Sequence, residues 1–179
     1  ITPDLAVFGK AMASGYPISV LVGKERFMRL IAEGKVIHAG TMNSGNPSVA
    51  AALKTVQILE RDGIPDALRR KGERLMSGLR DASLRAGKPL LIQGLGPMFH
   101  AGFSPLSAVR DYRETLSYDK GAYARFVAGM HERGIRLIGR GLWYVSAAHS
   151  DADLDRAISA AHDVLDRKST RLNSSHANI

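Results

Sequence analysis

Short runs of β-branched and aromatic residues alternate along this chain with longer stretches of helical period, and Gly or Pro stands at most junctions. That alternation admits an α/β architecture and little else. Leu5-Ala6-Val7-Phe8 and Ile18-Ser19-Val20-Leu21-Val22 are strand-like runs separated by a small, flexible stretch that holds Gly15 and Pro17. They read as consecutive strands with a turn between them. Residues 25–34 suit a short helix with Phe27, Leu30 and Ile31 on one side, ended by Gly34. Pro47 stands at the start of a longer helix to about Asp62, in which Val49, Leu53, Val56 and Leu59 recur at helical spacing. After the punctuation Gly63-Ile64-Pro65-Asp66, a helix over 67–86 carries Leu68, Leu75, Leu79 and Leu84. Residues 90–97 and 98–103 read as antiparallel strands joined by a Gly-Pro turn. A helix over 120–133, short strands over 136–138 and 143–146, and a last helix over 151–166 complete the pattern. Asp151 and Asp153 complement the dipole of that last helix. The expected organisation is two pieces, 1–62 and 63–167.

With 179 residues, 45% of them apolar and 6% aromatic, the chain is long enough for a real core. It has no cysteine, which excludes disulfides, thiolate metal sites and cysteine nucleophiles. No apolar stretch reaches transmembrane length, and the first residues lack the basic flank and apolar core of a signal peptide. The expectation is therefore a cytoplasmic protein with no membrane partner. The net charge of +8 raises nucleic-acid binding as an alternative. The arginines, however, lie among acids on helix faces, as in Arg69-Arg70-Lys71-Gly72-Glu73-Arg74, with no dense basic tract and no interleaved aromatics. Solvated helix faces account for them, and nucleic acid is not an expected partner. His38, His100 and His149 offer no metal-ligand spacing, so no metal is expected; His100 suits strand packing, and Trp143 suits the core or a pocket wall.

Lys10 is the residue with the sharpest chemical promise. It closes the first apolar run and opens into Ala11-Met12-Ala13-Ser14-Gly15. A lysine at a strand end can be held in a partly desolvated pocket, where burial lowers its pKa toward what an amine nucleophile needs. A solvated lysine capping a strand is the plainer alternative, and the surrounding residues have to decide.

They do so by resemblance. Pro3-Asp4-Leu5, Phe8-Gly9-Lys10 and Ser14-Gly15-Tyr16-Pro17-Ile18 resemble the cofactor-lysine segment of class III pyridoxal-phosphate aminotransferases, a family that includes glutamate-1-semialdehyde aminomutases. His38-Ala39-Gly40-Thr41 with Ser44-Gly45-Asn46-Pro47 is similar to the family's phosphate-contact loop, and Thr41 lies 31 residues after Lys10. Val145-Ser146-Ala147-Ala148-His149-Ser150 resembles the C-terminal strand–helix junction of the aminomutase-like branch. The three blocks keep the family's order and approximate spacing.

The resemblance implies a fold-type I PLP-dependent transferase: the C-terminal part of the large cofactor-binding domain with its connecting helix (1–62), then the small α/β domain (63–167). It implies pyridoxal 5'-phosphate held by Lys10 as a Schiff base, with Gly40 and Thr41 contacting cofactor phosphate. In the family that threonine reaches the cofactor of the neighbouring subunit, so a homodimer with shared active sites is expected. Arg140, between Gly139 and Gly141, falls in the segment that contributes to the substrate pocket of related enzymes, where a guanidinium can clamp a carboxylate. A solvated arginine in a turn is the alternative there. The expected function is transfer of an amino group between an amino acid or amine and a keto acid or aldehyde.

Intramolecular transfer, as in glutamate-1-semialdehyde 2,1-aminomutase, is an alternative, and a non-catalytic binding domain of the same descent is a second. Two departures weigh on the aminomutase alternative. The loop 41–47 is one residue longer than in typical aminomutases, and the glutamate usual in the family's later stretch is missing between Ile135 and Ser150. The family's pyridinium-nitrogen acid lies upstream of the lysine segment, and Asp4 is only the acid of the Pro-Asp pair. The chain is therefore expected to be a fragment, inactive or nearly so alone, with exposed apolar surface. Residues 168–179 are polar and aperiodic, and are expected to be a non-native, disordered tail.

Overall fold

The computed structural model describes residues 2–166, so the expectation for 168–179 lies outside the described residues. The chain divides into two compact units, one ending at Pro65 and one beginning at Asp66.

In the first unit, β1 (Leu5–Phe8) and β2 (Val20–Gly23) pair antiparallel, with Leu5 opposite Gly23 and Phe8 opposite Val20. A 3-10 turn, Lys10–Ala13, follows β1 directly, and α1 (Glu25–Ala32) and α2 (Asn46–Arg61) complete the unit. Little of it is buried. Ala13 and Ala52 are its buried apolar residues, whereas Val7, Ile37, Met42 and Leu53 are largely exposed. A face this apolar and this open is the surface expected of a domain part that packs on something further.

The second unit holds the core. α3 (Ile64–Arg85) leads into it, followed by β3 (Leu90–Leu95), β4 (Met98–Phe103), α4 (Lys120–Glu132), β5 (Leu142–Tyr144) and α5 (Asp151–Asp166). β3, β4 and β5 form an antiparallel sheet in sequence order. Alternate strand residues point to one face. Ile92, Phe99, Ala101, Phe103 and Trp143 accordingly bury against Leu79 of α3, Phe126 and Met130 of α4, and Leu165 of α5. Phe99 stacks on Trp143 with ring centroids 5.5 Å apart, and the Trp143 indole N–H donates to the Tyr123 hydroxyl at 3.1 Å. Burial pushes the Tyr123 hydroxyl up to about 12. Helices approach closely where glycine removes a side chain: Ile158 lies over Gly78 and Val164 over Gly129.

The opposite sheet face is covered by residues 104–118. The Gln93 side-chain amide exchanges two hydrogen bonds with the Val109 backbone, at 2.8 and 3.3 Å, and Tyr118 packs its ring 4.7 Å from that of His100.

Most elements fall where periodicity places them, with ends differing by a few residues. Two differences are instructive. The long helix of the second unit begins at Ile64, because Pro65 at the second helical position has no N–H to waste. The strand expected over 136–138 does not form. The Leu137 N–H donates to His131 Nε2 at 3.1 Å, so the donor a sheet ladder would need is already taken.

Candidate functional site

Lys10 sits two residues beyond β1, after Gly9, as the first residue of the 3-10 turn, at φ +54°. A non-glycine residue there forfeits about 1–2 kcal/mol, and such outliers cluster where geometry serves function. Its side chain is exposed. The described residues of this unit therefore do not build the desolvated pocket expected for it.

The turn is anchored to α2. Buried Ala13 and Ala52 let the two backbones approach, and Ser14 Oγ lies 3.3 Å from Thr55 Oγ1, which also donates to the Ala51 carbonyl. Ser14 caps the turn at φ +49°. Neither Ser14 nor Thr55 stood out in the sequence. A serine next to a glycine reads as a loop residue, and its partner lies 41 positions away.

Gly40 and Thr41 are exposed in the loop that enters α2. The Asn43 N–H donates to the Gly40 carbonyl at 3.0 Å, and a Cβ at Gly40 would lie 2.8 Å from the Asn43 side-chain oxygen, so the loop closes on that glycine. α2 starts without a side-chain cap, with Pro47 in its first turn. Pro47 has no N–H to leave unpaired, and the Val49 N–H donates to the Gly45 carbonyl at 3.1 Å. Both segments hang on one helix at different heights. Thr55, which holds the Lys10 turn, is nine residues beyond Asn46, about 13 Å along the axis. A hollow of ≈ 1060 Å³ opens between α1, β2 and α2, lined by Met28, Ile31, His38, Val49 and Leu53 among others. Lys10, Gly40 and Thr41 do not line it.

Arg140 belongs to the second unit, in the turn before β5, and its side chain is exposed. The turn is fixed to the sheet: the Ala101 N–H donates to the Gly141 carbonyl at 2.9 Å, and Gly141 takes φ +90°. The Val145–Ser150 block is tied down as well. The Val145 N–H donates to Pro97 O at 2.8 Å, and Lys71 Nζ donates to the carbonyls of Ala147 and His149. Ser150 and Asp153 form a reciprocal capping box, with the Ser150 N–H reaching Asp153 Oδ2 at 2.8 Å and the Asp153 N–H reaching Ser150 Oγ at 3.2 Å. The hydrogen bonds from the Ser150 hydroxyl and N–H hold the Asp153 carboxyl below its usual range. Among the described residues no group of three or more His, Cys, Asp or Glu side chains could hold a metal ion, and no helix is long and apolar enough to cross a membrane.

An exposed primary amine on a strained turn, together with a Gly-Thr loop at a helix N-terminus, is a donor set for an aldehyde and for a phosphate. Residues 1–165 match the model of the class-III aminotransferases. The chain belongs to that family. It is 37% identical over 169 residues to a glutamate-1-semialdehyde 2,1-aminomutase of Desulfitobacterium hafniense, a match covering 92% of this chain and 39% of the relative. A Methanopyrus kandleri aminomutase is 36% identical over 93% of this chain and 39% of its own length. Among solved structures, a β-phenylalanine aminotransferase from Variovorax paradoxus superposes with TM-score 0.77 at 25% identity, covering 89% of this chain and 37% of that one. An ω-transaminase from Sphaerobacter thermophilus gives TM-score 0.76 at 23% identity over 92% and 39%. The fold is that of the PLP-dependent transaminases, a fold-type I α/β fragment. The chain spans about two-fifths of the length of the relatives it matches.

Proposed function

We propose that this chain supplies the lysine-bearing segment and the C-terminal domain of a pyridoxal-phosphate-dependent aminotransferase, which moves an amino group between an amino acid or amine and a keto acid or aldehyde. Lys10 supports the reading most directly: a primary amine held at positive φ at the end of β1, in the segment that resembles the family's cofactor lysine. The donor set present fits the cofactor. Lys10 would hold its aldehyde carbon through Nζ, and Gly40 and Thr41 would hold a phosphate through N–H and hydroxyl groups. When bound, pyridoxal phosphate supplies an electron sink for the carbon that gains or loses the amino group. The chain's own contribution is then positional. α2 and the Ser14–Thr55 contact orient the Lys10 turn, and the freed amine can carry a proton to or from the substrate carbon.

The two attachment heights on α2 suit a homodimer in which Lys10 and Thr41 serve different cofactors, Thr41 that of a second copy. Arg140 is the group proposed to receive a substrate carboxylate, since an exposed guanidinium on a sheet-anchored turn can make a bidentate contact. The aminomutase relatives, 34–38% identical, keep intramolecular transfer as a second reading.

The test uses a polypeptide of the relatives' length that contains this sequence. Lys10→Ala is expected to remove the cofactor's protein-bound absorption band and turnover while leaving the thermal transition in place. Undiminished turnover would overturn the assignment. Product formation that requires an added keto acceptor marks an aminotransferase, and product formation without one marks a mutase.

A further inference from the structure

The Arg140–Gly141 peptide rests on His100. His100 lies on β4, the central strand of the sheet, and points to the face covered by residues 104–118, where its ring meets Tyr118. The Arg140 backbone lies close enough to the imidazole to favour its protonated form, against the burial that disfavours it. It also sits so close to Gly141 that a Cβ there would lie 2.3 Å from His100 Nε2 and 2.8 Å from the Ala101 carbonyl oxygen. The other ring nitrogen, Nδ1, is buried without a hydrogen-bond partner. A buried polar atom left unpaired costs stability, and apolar residues would pack this site without that cost. Packing alone therefore explains His100 poorly. What the ring does accomplish is to present Nε2 to the turn that carries Arg140, while the neighbouring Ala101 N–H takes the Gly141 carbonyl at 2.9 Å. Two consecutive residues of one rigid strand thus hold two consecutive residues of the turn, and this fixes where the Arg140 side chain departs from the sheet.

We propose that His100 is a positioning residue for Arg140, holding the turn 139–141 so that the guanidinium is pre-aimed at a substrate carboxylate. This rests on the assignment of Arg140 above, and the geometry explains why glycine follows it. The Arg140 side chain is exposed and makes no hydrogen bond or ion pair with another described residue, so its aim must come from the backbone beneath it. Preorganisation of this kind affects binding of carboxylate-bearing substrates and leaves the chemistry at the amine untouched.

The experiment compares four variants of the full-length, cofactor-loaded protein on two amino donors, an amino acid and an amine of similar size without a carboxylate. Arg140→Ala first tests the underlying reading. It should raise KM for the amino acid selectively, and an equal effect on both donors would defeat the Arg140 assignment itself. With that selectivity established, His100→Leu should raise KM for the amino acid about tenfold, with kcat and the amine reaction unchanged. His100→Gln, whose amide reaches the position of Nε2, should restore most of that loss, whereas His100→Asn, too short to reach, should not. Should His100→Leu not fold, the Gln and Asn pair alone carries the comparison. Equal behaviour of Gln and Asn, equal loss on both donors, or no change in any His100 variant would overturn the proposal while leaving Arg140 in place.

Discussion

Gly72 lies in the interior of α3, where alanine ordinarily improves a helix by about 0.8–1 kcal/mol. Here the opposite is expected. An added Cβ would stand 1.8 Å from the Gly96 carbonyl oxygen and 2.3 Å from its carbon, against a practical limit of 3.0 Å. The helix and the β3–β4 turn must therefore separate by more than an ångström. Neither colliding atom belongs to a side chain that can rotate away. Gly96 itself is at φ +53° in a two-residue turn, and the next residue, Pro97, accepts the Val145 N–H at 2.8 Å. Overpacking of this kind costs about 1–3 kcal/mol, and loss of the Val145–Pro97 bond adds about 1 kcal/mol, so the propensity gain is outweighed. Gly129→Ala is the matched control. The atoms nearest its Cβ would be the Val164 methyls at 2.9 and 3.0 Å, side-chain atoms that need to shift by only about a tenth of an ångström, so the propensity gain roughly cancels the crowding. Trp143 is the sole tryptophan and lies in the core of the second unit, so its fluorescence reports urea unfolding there. Gly72→Ala should lower the midpoint clearly and Gly129→Ala should leave it nearly unchanged. A Gly72→Ala protein as stable as the parent, or less damaged than Gly129→Ala, would refute the reasoning.

Three further outcomes follow from titrating and capping groups. Tyr123 ionises near pH 10 when unfolded but only at about 12 when folded, so the folded state holds its proton longer and stability should fall as pH rises from 10 to 12. Tyr123→Phe should flatten that alkaline loss in urea midpoints, though it leaves the Trp143 N–H without its acceptor and so lowers stability at pH 7 by about 1–3 kcal/mol. Burial holds the His100 imidazole below its ordinary value. The unfolded chain therefore takes up that proton first, and stability should drop as pH falls from about 6.5 to the folded value, a drop that His100→Gln should reduce. Ser150→Ala removes the cap of α5 and should cost about 1 kcal/mol in the same assay, with an unchanged midpoint as the contrary result.

What could be read from the sequence followed the range of the forces involved. Apolar periods are local, so α2 through α5 and the β3–β4 hairpin were legible in outline, and Gly96-Pro97 marked the hairpin turn. The strand expected over 136–138 failed because a side chain six residues back captured the backbone donor, which no periodicity records. The Lys10 segment was legible as a motif, but its conformation was not. Positive φ at a lysine arises from docking of the turn on α2, through Ser14 and Thr55. His100 looked like a strand-packing residue. Its contact with the Arg140–Gly141 peptide depends on the register of β4 against β5, in which it pairs with Leu142. The weak burial of the first unit was foreseeable only from the family resemblance, since composition averages it away over both units.

The central claim is that Lys10 carries the cofactor. Reduction of the pyridoxal-phosphate-loaded, full-length protein with borohydride, followed by protease digestion and peptide mass spectrometry, tests it most directly. The account predicts a phosphopyridoxyl adduct on Lys10, lost in Lys10→Ala. An adduct on another lysine in its place, or a loaded protein whose Lys10 peptide stays unmodified, would contradict it.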